Sequence, residues 1–257
     1  IKDNQIYILE VNPRASRTAP FVGKATHTQW PRIAAKVMMG KTLAELGARE
    51  VAPGGGDAPG GAKYYAVKES VFPFAKFPGV DVVLGPEMRS TGEVMGIDTS
   101  LPIAFAKSQI AAGINLPRAG NVFLSVRERD RAYMVEPARL LASMGFGIFA
   151  TDGTGTYLAE QGVPNTILQK IGSGARPNVI DMMSDAKIHL VINTPTKTGW
   201  KTDEGRIRAA TVRLGVPMIT TTTGALAAAR AIKALREGDW GVRAMQDYKA
   251  DSMSPSV

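Results

Sequence analysis

The stretch ILEVNPRASRTAPFV, residues 8–22, sets a carboxylate and a carboxamide, Glu10 and Asn12, two residues apart and follows them with two guanidinium groups, Arg14 and Arg17. Oxygen ligands of this kind suit Mg2+, which takes one or two carboxylates and fills its shell with water and substrate phosphates. Arginines beside such a pair would neutralise the polyphosphate that shares the metal and the charge that develops in phosphoryl transfer. The same spacing fits a strand-end glutamate paired with a nearby arginine, and spacing alone does not choose between the two.

A second set of polar groups begins at Ser125. In TDGTG, residues 151–155, two glycines and the hydroxyls of Thr151 and Thr154 surround an expected helix start, where free backbone amides and the positive dipole end make a phosphate cradle. A tight turn capped by threonine is the plainer reading of that segment taken alone. Its neighbours change the balance, because Ser125, Lys170, Asn193 with Thr194, and Thr220 with Thr221 each fall at the expected end of a strand. Arg131, at the start of a helix, adds a second cation. Such a rim suits a phosphorylated small molecule. It offers no evident proton-transfer group: His189 lies at the start of a strand, away from the rim, and Asp152 would oppose an anion. The set therefore reads as a sensor rather than an active site.

The elements that must position these residues fall into two halves. QIYILEVN, residues 5–12, has the β-branched and aromatic content of a strand, which would place Ile6, Ile8, Glu10 and Asn12 on one face. Residues 30–50 carry apolar side chains at helical spacing, with Gly40 and Gly47 as stops. The Gly- and Pro-dominated run at 52–63 reads as a surface loop, and 63–97 as an irregular packed segment rather than a sheet of its own. A short helix follows at 101–112, and GINLPRAG, 113–120, places a domain boundary at 117/118. From Asn121 the rhythm is strand, helix, five times over, with strands at VFLSV, GIFAT, TILQKI, HLVINT and PMITT. That alternation predicts an α/β fold whose second half is a doubly wound, five-stranded parallel sheet with ligands at the carboxyl ends of its strands. The tail from Gly238 reads as frayed.

Composition narrows the classes. At 257 residues, 44% hydrophobic and 21% charged, the chain suits one large or two medium globular domains. No apolar run nears the ~18 residues of a membrane span, and no secretory leader is evident. The absence of cysteine excludes disulfides and thiolate metal sites and favours a cytoplasmic setting. The net charge of +8 is dispersed, without a basic block or a nucleic-acid-binding motif, so it speaks for phosphate ligands and a solvated surface rather than for nucleic acid or membrane. A start at Ile1, with a strand expected within five residues, suggests a piece of something longer.

YILEVNPRASRTAPFVGKAT together with YYAVKESVFPFAKFPGVDVVLGPEMRSTGEVMGI resembles the end of the second ATP-grasp unit of the carbamoyl-phosphate synthetase large subunit. The remainder is similar to that subunit's carboxyl-terminal allosteric domain, which is methylglyoxal-synthase-like in fold. The resemblance implies residues 1–117 as the carboxyl-terminal part of the carbamoyl-phosphate-synthesising ATP-grasp domain and 118–257 as the methylglyoxal-synthase-like domain. It implies a ligase that uses glutamine-derived ammonia, bicarbonate and ATP to phosphorylate carbamate for pyrimidine and arginine synthesis. Mg2+ or Mn2+, a glutaminase small subunit and an oligomer of heterodimers are implied with it. By position, Glu10 and Asn12 resemble metal ligands and Arg14 and Arg17 catalytic groups beside the nucleotide phosphates. Glu69 matches the place where the activator ornithine binds. Ser125, Arg131, Thr151, Gly153, Thr154, Lys170, Asn193 and Thr194 match the pocket for uridine and inosine monophosphates, and Thr220 lies where the two effector sites communicate. The nucleotide-binding elements of an ATP-grasp fold are not in the sequence, so this chain alone should make no carbamoyl phosphate. The alternative is a stand-alone methylglyoxal-synthase-like lyase, but that family's Gly-Gly-Asp-Gln signature, which carries the base, is replaced here by GSGARPNVID, residues 172–181.

Overall fold

The computed structural model describes residues 3–8, 10–48, 64–74, 90–194, 202–238 and 240–248. The expected loop at 52–63 and residues 75–89 of the second resemblance motif lie outside them. By packing, the chain divides into one compact unit of residues 64–243 and another formed by 1–63 and 244–257. Each is taken by itself.

The larger unit is built on a five-stranded parallel sheet of β3 (Asn121–Ser125), β4 (Gly147–Thr151), β5 (Thr166–Leu168), β6 (Leu190–Asn193) and β7 (Met218–Ile219), ordered β5-β4-β3-β6-β7. Between them run α4 (Arg131–Ser143), α5 (Asp152–Glu160), α6 (Val179–Ser184) and α7 (Asp203–Leu214), and α8 (Thr222–Glu237) follows β7. The five-fold alternation expected from the sequence is thus present, with boundaries displaced by at most a few residues.

Burial shows that the sheet is covered on both faces. Along β3 the side chains alternate: Val122 and Leu124 join a core with Met134 and Leu141 of α4, Leu158 of α5 and Ile232 of α8. Phe123, between them, joins the opposite core with Met183 of α6 and Ile207 of α7. In β6, Leu190 and Ile192 take the first face and Val191 the second. A strand's period of two forces this division, so strands apolar at every position must have helices on both sides.

Residues 64–98 depart from expectation, while the helix expected at 101–112 is present. The sequence suggests an irregular segment; instead β1 (Tyr65–Val71) and β2 (Gly92–Asp98) pair antiparallel as a two-stranded sheet, with Glu69 opposite Val94. A glycine, Gly96, is what lets the pair dock. A β-carbon on Gly96 would stand 1.9 Å from the Ala104 carbonyl oxygen of α3 (Leu101–Ala111), so the strand lies almost on the helix backbone. Helix α3 in turn packs on α8, burying Ile103, Ala104 and Ala106. Packing therefore does not divide at 117/118, although ancestry could still do so.

In the smaller unit the strand expected at 5–12 is not seen among the described residues of that stretch, of which Gln5 alone makes a β-bridge. Its described residues 6–8 and 10–12 are irregular, and Ile6, Ile8 and Val11 are about four-fifths exposed, at 82%, 80% and 79%. A β-prone run that forms no extended ladder leaves its apolar face uncovered. Helix α1 (Thr18–Ala25) and α2 (Trp30–Met38) follow. Gly40 (φ +92) and Gly47 (φ +61) end α2 and the next turn, as their placement suggested. Beyond Gly238, residues 245–248 form a helical turn in place of the frayed tail expected there, and 249–257 lie outside the described residues. Among the described residues no helix is long and apolar enough to cross a membrane.

Candidate functional site

At the carboxyl ends of β3, β4 and β5 lies a cleft of about 730 Å3 whose walls include Ser125, Arg131, Thr151, Gly153, Thr154 and Lys170. From β3 the sheet grows through β4 and β5 on one side and through β6 and β7 on the other. Such a reversal keeps helices from closing over the strand ends and leaves room for a ligand. The volume is that of a small-molecule site.

Each wall has a local cause. Thr151 is the N-cap of α5, and its hydroxyl turns to Thr154 Oγ1 at 3.2 Å instead of capping the helix, so the first amides of α5 keep no side-chain acceptor. Thr154 is buried. Its hydroxyl accepts from Val126 N at 3.0 Å and donates to Val126 O at 3.2 Å, clamping α5 to the segment after β3. Gly153 is required by Arg131: a β-carbon at residue 153 would stand 2.6 Å from Arg131 Nη2. The guanidinium is thereby laid over the start of α5, with Nε buried and without a hydrogen-bond partner.

Charge in the cleft is mixed. Arg127 is paired with Asp130, and Asp203 Oδ2 accepts from Gly172 N at 3.2 Å. Asp152 is exposed, and as the first residue of α5 its carboxylate is favoured by the helix dipole. Arg131 and Lys170 have no acidic partner among the described residues. Two unpaired cations beside open helix amides are suited to a phosphate dianion, and a buried guanidinium nitrogen without an acceptor is the kind of unmet demand that a ligand satisfies.

Two expected rim residues sit elsewhere. Asn193 is buried behind the cleft, donating from Nδ2 to Ser125 O at 3.1 Å and accepting at Oδ1 from Arg208 Nη1 at 3.3 Å. Thr194 is buried too, its hydroxyl accepting from Arg127 N at 3.0 Å. Both shape the site from behind. Thr202, Asp203 and Glu204, at the start of α7, line the cleft and were missed by the sequence reading, as was the wholly buried Arg208. The Glu204/Arg208 pair at i,i+4 is readable in the sequence, but an arginine in a helix reads as a surface residue until the fold covers it.

Thr220 and Thr221 belong to a second cleft, of about 600 Å3, with Glu69, Gln109, Phe72 and Phe74. The two phenylalanine rings stack at 5.2 Å. Glu69 Oε2 accepts from Gln109 Nε2 at 2.8 Å. Burial raises the pKa of the Glu69 carboxyl above its ordinary value, and the Gln109 hydrogen bond offsets part of that rise. A half-buried carboxylate among aromatic rings favours a cationic ligand. Thr221 also caps α8, accepting from Gly224 N at 3.0 Å.

In the smaller unit, Asn12 Nδ2 donates to Glu10 Oε1 at 3.0 Å, so the two side chains converge without the strand expected to align them. Both are exposed, as are Arg14 and Arg17, and Arg17 is the N-cap of α1. Among the described residues no group of three His, Cys, Asp or Glu side chains is placed to hold a metal. Glu10 and Asn12 would therefore supply part of a shell that other oxygens, including phosphate, must complete.

Residues 133–220 match the MGS-like domain family, covering all of the sheet from β4 to β7. Over 96% of its length the chain is 50% identical to the carbamoyl phosphate synthase large chain of Brucella suis. The chain is homologous to carbamoyl phosphate synthase large chains. Against the large chain of Archaeoglobus fulgidus the identity is 47% over 98% of this chain. Against a protein of Methanocaldococcus jannaschii named as the C-terminal section of the large chain it is 45% over 97%. The chain spans 21% of the Brucella relative's length, 23% of the Archaeoglobus relative's and 41% of the Methanocaldococcus section.

Proposed function

We propose that this chain is the carboxyl-terminal portion of a glutamine-dependent carbamoyl phosphate synthase large subunit and that its larger unit is the sensor of that enzyme. The observation that carries the reading is Arg131, held over the start of α5 by the missing side chain of Gly153 and left with a buried nitrogen that has no acceptor. A nucleoside monophosphate fits there. Its phosphate would take Arg131, Lys170, the Thr151 hydroxyl and the first amides of α5, while Ser125 faces the same cleft. Thr154, Asn193 and Thr194 would act by holding those groups in place. Glu69 in the second cleft would take the ammonium of ornithine, with Thr220 across from it. The replacement of the Gly-Gly-Asp-Gln signature by GSGARPNVID disfavours the lyase alternative.

Ancestry is assigned as 1–117 to the ATP-grasp part and 118–257 to the MGS-like domain. Glu10 and Asn12 would hold Mg2+ or Mn2+, whose role when bound is to bridge and neutralise ATP phosphates, and Arg14 and Arg17 would steady the phosphoryl group moving to carbamate. Partners would be a glutaminase small subunit and further copies of the heterodimer, in the cytoplasm. Two assays test the reading. Calorimetry with uridine monophosphate should give saturable heat below ~1 mM, and a coupled ATPase assay with bicarbonate and ammonia should give no turnover. Absent heat or clear turnover would each overturn its half.

A further inference from the structure

The smaller unit is drawn from two stretches, 1–63 and 244–257, that flank the whole of the larger one in sequence. Helices α1 and α2 bury none of their residues. Among the described residues of that unit one side chain is buried: Tyr248, 2% exposed, at the end of the helical turn 245–248. Helices of eight and nine residues cannot hold their shape in water by local hydrogen bonds alone, so what covers them decides whether the unit forms. Their corner is tightly made. Trp30 Nε1 donates to Thr26 Oγ1 at 3.0 Å across the connection, and a β-carbon on Gly23 would stand 3.0 Å from the Thr28 carbonyl oxygen. Ala19, Pro20, Gly23 and Pro31 line a groove of about 620 Å3 there, and Met245 and Gln246 belong to the same wall.

The turn does not arrive there as a continuation of the larger unit. In that unit Trp240 packs on the core, with the Arg118 guanidinium carbon 5.8 Å from its ring centroid. Residues 241–244 are then exposed one after another, Val242 at 92%. An exposed run that ends in a buried tyrosine marks a linker and an anchor, since an aromatic side chain repays its ordering only where it is covered. We propose that the turn at 245–248 is the docking element of the α1–α2 groove, held within one chain by the Tyr248 ring, so that the larger unit is an inset between two pieces of a single smaller fold. Chemistry on both sides suits the pairing: the groove offers the carbon of Ala19, Pro20 and Pro31, and the turn brings Met245 to it. Position gives the docking a use. Arg17 is the N-cap of α1, and Ala19 and Pro20, in the first turn of that helix, stand in the groove wall, so the docked turn steadies the helix that begins at Arg17. None of residues 245–248 lines either cleft of the larger unit. The turn is therefore a positioning element for the segment that carries Glu10 to Arg17, although it follows the parallel sheet in sequence.

Amide hydrogen exchange, followed peptide by peptide on the whole chain, reads both units at once. Truncation after Arg243 and Tyr248→Ala should each speed exchange in α1 and α2 by about tenfold or more, because an aromatic anchor is lost from a marginal unit. The strands β3, β4 and β6 and helix α8 should exchange as before. Tyr248→Phe, which keeps the ring, should keep most of the protection. Unchanged exchange in α1 and α2 after truncation overturns the proposal, as does an absence of protection there in the unaltered chain. A loss shared by the parallel sheet overturns it too, since the turn would then be part of the larger unit. A loss in Tyr248→Phe as large as in Tyr248→Ala would remove the ring as the anchor. Protection of α1 and α2 that fades on dilution would show a second copy supplying the turn, which overturns docking within one chain. None of these outcomes depends on what either cleft binds.

Discussion

Arg131 occupies the space that a side chain on Gly153 would need: a β-carbon on residue 153 would stand 2.6 Å from Arg131 Nη2. The atom met is the far end of a flexible side chain, so a substitution there can be accommodated, but only by moving the guanidinium off the helix start. Function and stability should therefore separate. Gly153→Ala adds a better helix former inside α5 and should leave stability equal or up to about 1 kcal/mol higher, while uridine monophosphate affinity falls about tenfold through loss of one charge-assisted contact. Thermal melting and calorimetry on one sample read both quantities. Equal affinity in the variant would show that Arg131 does not hold the phosphate.

Asn193 sits where the two halves of the sheet meet, tying Ser125 O to Arg208. Asn193→Ala strips an acceptor from a buried cation and a donor from a strand-end carbonyl. Urea unfolding should lose about 2–4 kcal/mol, far more than a rim asparagine would cost. A loss below ~1 kcal/mol would return Asn193 to the rim.

Gly96 tests the docking of the hairpin. Its β-carbon would meet the Ala104 carbonyl oxygen at 1.9 Å and the Ser108 nitrogen at 2.4 Å, both backbone atoms that cannot turn aside. Gly96→Ala should cost about 2–3 kcal/mol, in contrast to Gly153→Ala, where a side chain yields. Hydrogen exchange should show lost protection in β1, β2 and α3 together.

Glu69 predicts a pH dependence of stability. Its carboxyl is raised in the folded chain by burial, so between the ordinary glutamate value of 4.5 and the higher folded value the native state binds more protons than the unfolded one. Its contribution is complete below 4.5 and is lost as pH climbs through the folded value. Glu69→Gln should flatten that part of the stability profile, measured by urea unfolding from pH 4 to 8, and should weaken ornithine binding. A cationic ligand, by favouring the carboxylate, should draw the transition downward in pH.

The parallel sheet was legible because each strand carries a short apolar run and the helices between them are patterned at their own period, so local and long-range signals agree. At 5–12 the two disagree: Ile6, Ile8 and Val11 have the chemistry of a strand, but among the described residues nothing covers them. The hairpin was missed because residues 63–97 read as irregular, and nothing local announces that a helix backbone will lie against a strand. That Arg131, Thr151, Gly153 and Lys170 line one cleft was legible because strand ends and helix starts are predictable places. Asn193 and Thr194 were found as strand ends but assigned to the wrong side of the wall. The start of α7 escaped notice because acidic residues do not suggest an anion site, and Arg208 because burial of a charge is decided by its neighbours in space.

Helix α3 lies between the β1–β2 hairpin and α8, and this sets the terms on which the regulatory part could be transplanted. Cutting at 118 would strip a cover from the alanine-rich side of α8 and remove the carboxylate wall of the second cleft in one stroke. A graft onto another enzyme should start near Tyr64, so the portable module is longer than its homology signature.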